Sequence, residues 1–249
     1  MSPLHSPLSG ALALLTAWAL IGLMGLLRPS SVGFITRVLF PLGAATGVAL
    51  ALTAAAGLSA RPESLTLPIG LPDLPFHVRL DPLASMFLFL LGAASAGISI
   101  FAAGYFRHGH DASPGLLCVQ YHLFLASMGL VLLADDAYAF MVAWETMALA
   151  SYFLVTTQHA KPEIRSAGFL YLIVAHVGAI AILLSFGVMQ GGSWLFTFDA
   201  MRAAHLSPPW AAVAFVLALI GFGAKAGLVP LHVWLPGLTP PHHPPSPHS

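Results

Sequence analysis

Two ionisable residues lie inside long apolar stretches of the sequence, where a charge is unusual. Glu145 lies in the run FMVAWETMALASYFLV, and Lys225 lies in ALIGFGAKAGLVPLHVWLP. Either charge costs about 3 kcal/mol at the centre of a membrane-spanning helix, so such residues normally face a protein interior or a hydrated cavity. A carboxyl group and an amine that influence each other's charge can hold and release a proton. We therefore predict proton-transfer roles for Glu145 and Lys225; a structural ion pair between two helices is the alternative.

Histidines supply candidate relays between these two residues. His176 lies in the middle of the sixth apolar stretch, and His122 lies near the start of the fourth. An imidazole has an ordinary pKa of about 6.5, which suits proton transfer near neutrality. The alternative for each is a histidine hydrogen-bonded between helices. A haem held by both imidazoles would need them at one depth in the membrane, and the sequence places His176 nearer the centre than His122.

The composition identifies the environment that these residues share. The chain has 249 residues, of which 58% are hydrophobic and 7% are charged. A soluble domain is about 25% charged, so most of this surface must face lipid. Net charge is zero with histidine neutral, which gives nucleic-acid binding no electrostatic support. A single cysteine, Cys118, excludes an intrachain disulfide and a cysteine-based metal cluster. We expect neither a cofactor nor a metal site.

Seven stretches are long and apolar enough to cross a bilayer as helices, which need about 20 residues each. The stretch 61–80 contains four prolines and alternates apolar with polar residues, which predicts a short β-hairpin. The tail 236–249 is rich in proline and histidine, and we expect it to be disordered; a metal-binding tract is the alternative. The predicted fold is an all-α polytopic membrane protein with spans near 8–27, 34–57, 82–104, 116–134, 138–157, 165–189 and 210–229.

The distribution of basic residues predicts the orientation in the membrane. With seven spans, one side receives Arg28, Arg37, Arg107, Lys161 and Arg165. The side richer in lysine and arginine is normally cytoplasmic. The N-terminus and the hairpin should then lie outside.

Simple helix geometry predicts how Glu145 and Lys225 are arranged. The fifth and seventh spans cross in the same direction, so both side chains can face one bundle interior. At 1.5 Å per residue they would differ in depth by about 9 Å if both helices began at one level. We therefore expect a separation larger than a direct salt bridge, with His176 or a water molecule between them.

Two motifs resemble a known family of membrane proteins. VAWETMALASYFLV and GFGAKAGLVPLHVWLP look like the fifth and the broken seventh helices of the antiporter-like proton-pumping subunits. That family includes the L, M and N subunits of NADH-quinone oxidoreductase (complex I) and the large Mrp antiporter subunits. Both motifs are most similar to the branch that contains the corresponding membrane subunits of hydrogenase-4 and formate hydrogenlyase. The family's intramembrane glutamate and lysine fall on Glu145 and Lys225, and its hairpin matches the stretch 61–80.

The resemblance implies the N-terminal half of an inverted-repeat fold and a place in a hydrogenase-type complex of the cell inner (plasma) membrane. Redox chemistry would occur in peripheral iron–sulfur and nickel subunits, while this chain, among other membrane subunits, carries protons. Glu145 would be the tunable acid, Lys225 the central carrier and His176 a relay. One alternative is a Mrp-like cation/proton antiporter subunit that moves H⁺ or Na⁺. Another is an inactive structural fragment, because the sequence after Pro236 departs from the family pattern, as a truncated or frameshifted product would.

Overall fold

The computed structural model describes residues 6–106, 113–158 and 162–229, and seven helices in these ranges are long and apolar enough to span a membrane. The first, α1, continues as a short 3-10 turn to Leu27. These helices confirm the predicted all-α, seven-span membrane fold. Their bounds are α1 Pro7–Met24, α2 Val32–Gly57, α3 Pro82–Tyr105, α4 Pro114–Leu133, α5 Ala137–Val155, α6 Pro162–Met189 and α7 Pro208–Ala226.

Local sequence explains where the helices begin and end. Proline is the first residue of α1, α3, α4, α6 and α7, a position at which its missing N–H is not needed. Asp136 caps α5, because its Oδ1 accepts a hydrogen bond of 2.6 Å from the Ala139 N–H. The last helix ends at Ala226, three residues before the predicted end of its span. Gly227 there adopts φ 72°, the left-handed conformation typical of a glycine that terminates a helix.

The predicted β-hairpin is present between α2 and α3. Strand β1, Glu63–Leu71, pairs antiparallel with β2, Leu74–Leu80, so that Glu63 lies opposite Leu80. Alternate residues of β2, among them Val78, are buried against the helices, as the period of two predicts. The hairpin is therefore anchored to the bundle along one face.

The hairpin also connects to the start of α5. Val78 forms a β-bridge with Ala134, and the Asp135 N–H donates to the His77 carbonyl at 2.8 Å. Asp136 forms a second bridge with Thr197, which caps a short helix at Phe198–Ala203. The hairpin, the α4–α5 connection and the α6–α7 connection thus meet at one end of the bundle. This cluster fixes the end of the helix that carries Glu145.

Close contact between α6 and α7 fixes the register of the last helix. A Cβ atom on Gly221 would lie 2.7 Å from the Gly178 carbonyl oxygen, so the two backbones approach more closely than a larger residue permits. The Ser185 hydroxyl donates to the Ala214 carbonyl at 2.8 Å and ties the same two helices. These contacts determine the level at which Lys225 meets α6.

Candidate functional site

Glu145 and His176 meet between α5 and α6. Glu145 Oε2 lies 3.5 Å from His176 Nε2, an ion-pair distance, and the two side chains are 32% and 47% exposed. The other carboxyl oxygen, Oε1, is buried and has no hydrogen-bond partner among the described residues. A buried, unpaired oxygen is unfavourable for an ionised carboxyl group. One oxygen thus faces histidine, and the other is open to a further partner.

The second ring nitrogen of His176 limits the protonation states of this pair. His176 Nδ1 lies 3.0 Å from the Leu172 carbonyl oxygen, which can only accept a hydrogen bond. Nδ1 is therefore assigned the hydrogen, which leaves Nε2 to face Glu145. A bare Nε2 lone pair would repel a carboxylate, so the arrangement favours one proton held between Nε2 and Oε2. The pair is then either imidazolium with carboxylate or imidazole with carboxylic acid.

Lys225 contacts aromatic side chains of the two neighbouring helices. Its Nζ donates a hydrogen bond of 2.8 Å to the hydroxyl oxygen of Tyr171 on α6. The same ammonium lies 5.2 Å from the ring centroid of Tyr171 and 5.8 Å from that of Trp144, within the range of cation–π attraction. Trp144 directly precedes Glu145 on α5. Within the part of the chain that the structure describes, no ion pair joins Lys225 to Glu145.

The three predicted site residues therefore belong to one region, but not to one contact. The structure brings His176 to Glu145, and it brings Lys225 to the residue that precedes Glu145. Tyr171 was not identified from the sequence, because a tyrosine in an apolar helix is an ordinary packing residue. A tryptophan such as Trp144 is likewise an ordinary packing residue in an apolar helix. The sequence feature that could have indicated the role of Tyr171 is its depth in the membrane, which matches that of a charged residue on a neighbouring span.

His122 lies apart from this site. It is fully buried in α4, and its Nδ1 lies 2.9 Å from the Cys118 carbonyl oxygen. Its ring packs against Phe40 of α2 at a centroid distance of 5.7 Å. His122 is thus enclosed between helices, but its hydrogen bond is to its own helix, and its Nε2 has no partner among the described residues.

Among residues 6–106, 113–158 and 162–229, no group of three or more His, Cys, Asp or Glu side chains is placed to hold a metal ion. The histidine-rich tail 236–249 lies outside the described residues. So do Arg107 and Lys161, on which the predicted orientation partly depends.

Comparison with known proteins places this geometry in a family. Residues 134–240, which include Glu145, His176 and Lys225, match the NADH:quinone oxidoreductase/Mrp antiporter transmembrane family. The chain is thus similar to the antiporter-like membrane subunits. A relative named hydrogenase-4 component B, from Escherichia coli K12, is 36% identical over 163 residues, which cover 66% of this chain and 24% of that protein. An uncharacterized protein of Mycobacterium tuberculosis is 41% identical over 177 residues, covering 68% and 26% respectively.

A solved structure shares the fold of this antiporter-like chain. The membrane-bound sulfane sulfur reductase, an archaeal respiratory membrane complex, contains a chain that matches with a TM-score of 0.72 at 18% identity. The match covers 92% of this chain and 47% of the other. This chain spans about a quarter of the length of the curated relatives named above.

Proposed function

We propose that this chain is the proton-translocating membrane part of a hydrogenase-type respiratory complex, in which partner subunits carry out the redox reaction. The observation that carries the proposal is the contact of 3.5 Å between Glu145 and His176 inside the spanning helices. The family match over residues 134–240 supports the general role, and the similarity to hydrogenase-4 component B supports the hydrogenase-type setting. Iron–sulfur and nickel subunits, together with other membrane subunits, are the proposed partners.

Glu145 and His176 hold the transferable proton in this proposal. When the proton sits on Glu145 the pair is neutral, and when it sits on His176 the pair is an ion pair. A positive charge that approaches the carboxyl group favours the second state. Two unit charges 4 Å apart interact by about 4 kcal/mol in partly hydrated protein, which shifts a proton equilibrium by roughly three orders of magnitude.

Lys225 is the positive charge that performs this shift. Its ammonium already contacts Trp144, the residue next to Glu145. A lysine has a flexible four-carbon stem, so its ammonium can move while the helix stays in place. Movement towards Glu145 would drive the proton to His176, and withdrawal would return it. Movement of the Lys225 side chain on α7 is thereby coupled to the protonation states of Glu145 on α5 and His176 on α6.

A cation/proton antiporter subunit is the second candidate, and the family match itself supports it, because the matched family includes the Mrp antiporters. The same three residues would serve, with H⁺ or Na⁺ as the transported ion. An inactive structural fragment is the third candidate.

The chain is a multi-span membrane protein, and we propose the cell inner (plasma) membrane with the N-terminus and the hairpin outside. The predicted cytoplasmic side carries Arg28 and Arg37. By sequence, five lysine and arginine residues lie on that side, against three on the hairpin side, Arg61, Arg79 and Arg202. This excess of basic residues supports the orientation.

The test is to isolate the affinity-tagged chain with its native partners from a mild detergent extract. Iron and nickel in the purified complex, and proton uptake into reconstituted vesicles when the redox reaction runs, are the expected results. Exchange of Na⁺ for H⁺ without iron or nickel would support the antiporter candidate instead. Vesicles that move neither ion would contradict both transport functions and leave the structural fragment.

A further inference from the structure

Tyr171 is a buried residue of α6 that the proposed proton path does not use. Only 3% of its surface is exposed, and it packs with Ala148 of α5 and Ala175 of α6. Its hydroxyl oxygen accepts the hydrogen bond of 2.8 Å from Lys225 Nζ. An enclosed hydroxyl that meets the ammonium of a partly buried lysine is a specific contact, because a polar group taken out of water is stabilised by a hydrogen-bond partner and an ammonium by an aromatic ring face.

We propose that Tyr171 is a positioning residue that holds the Lys225 ammonium in a resting position away from Glu145. The inference rests on the proposed function, in which Lys225 shifts the proton between Glu145 and His176. It goes further by naming the group that keeps Lys225 withdrawn. Helix α6 then supplies both partners of the site: His176 for the carboxyl group and Tyr171 for the ammonium.

The neutral hydroxyl suits a resting position better than a carboxylate would. A carboxylate would add the direct attraction between opposite unit charges, which a neutral hydroxyl lacks, so a lysine bound to Glu145 would be harder to release. The hydroxyl and the two ring faces stabilise the ammonium without adding a second charge. Glu145 Oε1 meanwhile stays without a partner among the described residues and is ready to accept Lys225.

The α6–α7 contacts hold Tyr171 and Lys225 at one level. Gly178 and Gly221 bring the two helices close together, and the Ser185–Ala214 hydrogen bond ties them a little farther along. Lys225 belongs to the last turn of α7 before Gly227. Both of these ties lie on the same side of the Tyr171–Lys225 contact and fix the backbone there. The lysine side chain is the part that moves.

The chain offers a direct spectroscopic test, because it has only two lysines, Lys161 and Lys225. Labelling lysine Nζ with nitrogen-15 in a K161R background makes Lys225 the sole signal in lipid nanodiscs. The measurement is the rate at which the ammonium hydrogens exchange with water. We expect Tyr171→Phe to accelerate this exchange on the order of ten-fold, because it removes an acceptor bound to a charged donor.

Two further variants make the result specific. Tyr152→Phe removes a hydroxyl from a residue that packs against the same cluster, and we expect it to leave the exchange rate unchanged. Glu145→Gln should also leave it unchanged, since Tyr171 holds the ammonium in the resting position. Phenylalanine keeps the aromatic ring, so Tyr171→Phe preserves most of the packing. The Glu145→Gln variant tests the same claim without any change to α6.

The proposal is overturned if Tyr171→Phe leaves the exchange rate at the parent value. It is equally overturned if Glu145→Gln accelerates the exchange as much as Tyr171→Phe, because Glu145 would then be the resting partner. Neither outcome depends on proton flux. A failure of the proposed function and a failure of this inference are therefore separate results.

Discussion

His176 Nε2 faces Glu145 Oε2 at 3.5 Å, and the opposite ring nitrogen of His176 is engaged by the carbonyl of its own helix. We propose on this basis that the two residues share one transferable proton. Lys225 lies beside that site without entering it. The proposed mechanism therefore depends on a proton shared by α5 and α6 and on a charge that approaches from α7.

The orientation in the membrane is open to a direct test, because the native cysteine is buried. Ser64 on β1 and Arg28 after α1 are both exposed and lie at opposite ends of the bundle. We expect a membrane-impermeant maleimide added to intact cells to label Ser64→Cys but not Arg28→Cys. The unsubstituted chain, with buried Cys118, serves as the background control. Labelling of Arg28→Cys alone would reverse the orientation.

Gly43 is predicted to be essential for packing α2 against α4. A Cβ atom at this position would overlap the His122 ring at Nε2, and His122 is fully enclosed. Overpacking of this kind typically costs about 1–3 kcal/mol. Gly43→Ala should therefore lower the thermal unfolding temperature in detergent.

Gly97→Ala on α3 is the matched control, because a Cβ atom there has nothing within 4 Å. Alanine favours helix over glycine by up to about 1 kcal/mol, so this variant should be neutral or slightly stabilised. Equal unfolding temperatures for the two variants would contradict the prediction, because they would show that the His122 side chain moves to accommodate the added methyl group.

Asp135 gives a pH dependence to the cluster in which the hairpin meets the α4–α5 and α6–α7 connections. It lies between α4 and α5, and its Oδ1 is 3.5 Å from Arg79 Nε. Burial raises the pKa of its carboxyl group above the ordinary value of 3.8, although the nearby charge of Arg79 acts in the opposite direction. The folded protein then holds this proton more tightly than the unfolded chain. The stability that Asp135 contributes is greatest at low pH and is lost as pH rises from 3.8 through the raised pKa.

Asp135→Asn should remove this dependence. The unfolding temperature of the variant minus that of the parent should increase between acidic and neutral pH. Asp73→Asn, in the exposed hairpin turn, is the control and should show a smaller change. A difference that stays constant with pH, or that decreases, would contradict the assignment to Asp135.

The sequence predicted those site residues whose charge is energetically costly in an apolar environment. Glu145 and Lys225 were identified because a charge in an apolar run is costly. Tyr171 carries no charge, so nothing in its sequence context distinguishes it from a packing residue. Its contact with Lys225 depends on how α6 and α7 pack against each other. The seven spans and the hairpin were predicted because hydrophobic length and a period of two are local properties.

Relative helix levels were not predictable in the same way. The depth difference of about 9 Å expected above assumed that α5 and α7 begin at one level. The structure instead packs Phe222 of α7 against both Phe140 and Trp144 of α5, at ring distances of 6.1 and 5.7 Å. Lys225, one turn after Phe222, is therefore close to the level of Glu145. Such levels depend on long-range packing, including the close approach at Gly221, which no local pattern encodes.

The most direct test of the central claim is redox-driven proton uptake by vesicles that contain the intact complex, measured for single substitutions at the shared protonation site. We expect Glu145→Gln and His176→Asn each to lower uptake by at least about ten-fold, since each removes one holder of the proton. Glu163→Gln, the same chemical change at an exposed position in the first turn of α6, should retain parental uptake. Undiminished uptake in both Glu145→Gln and His176→Asn would contradict the claim.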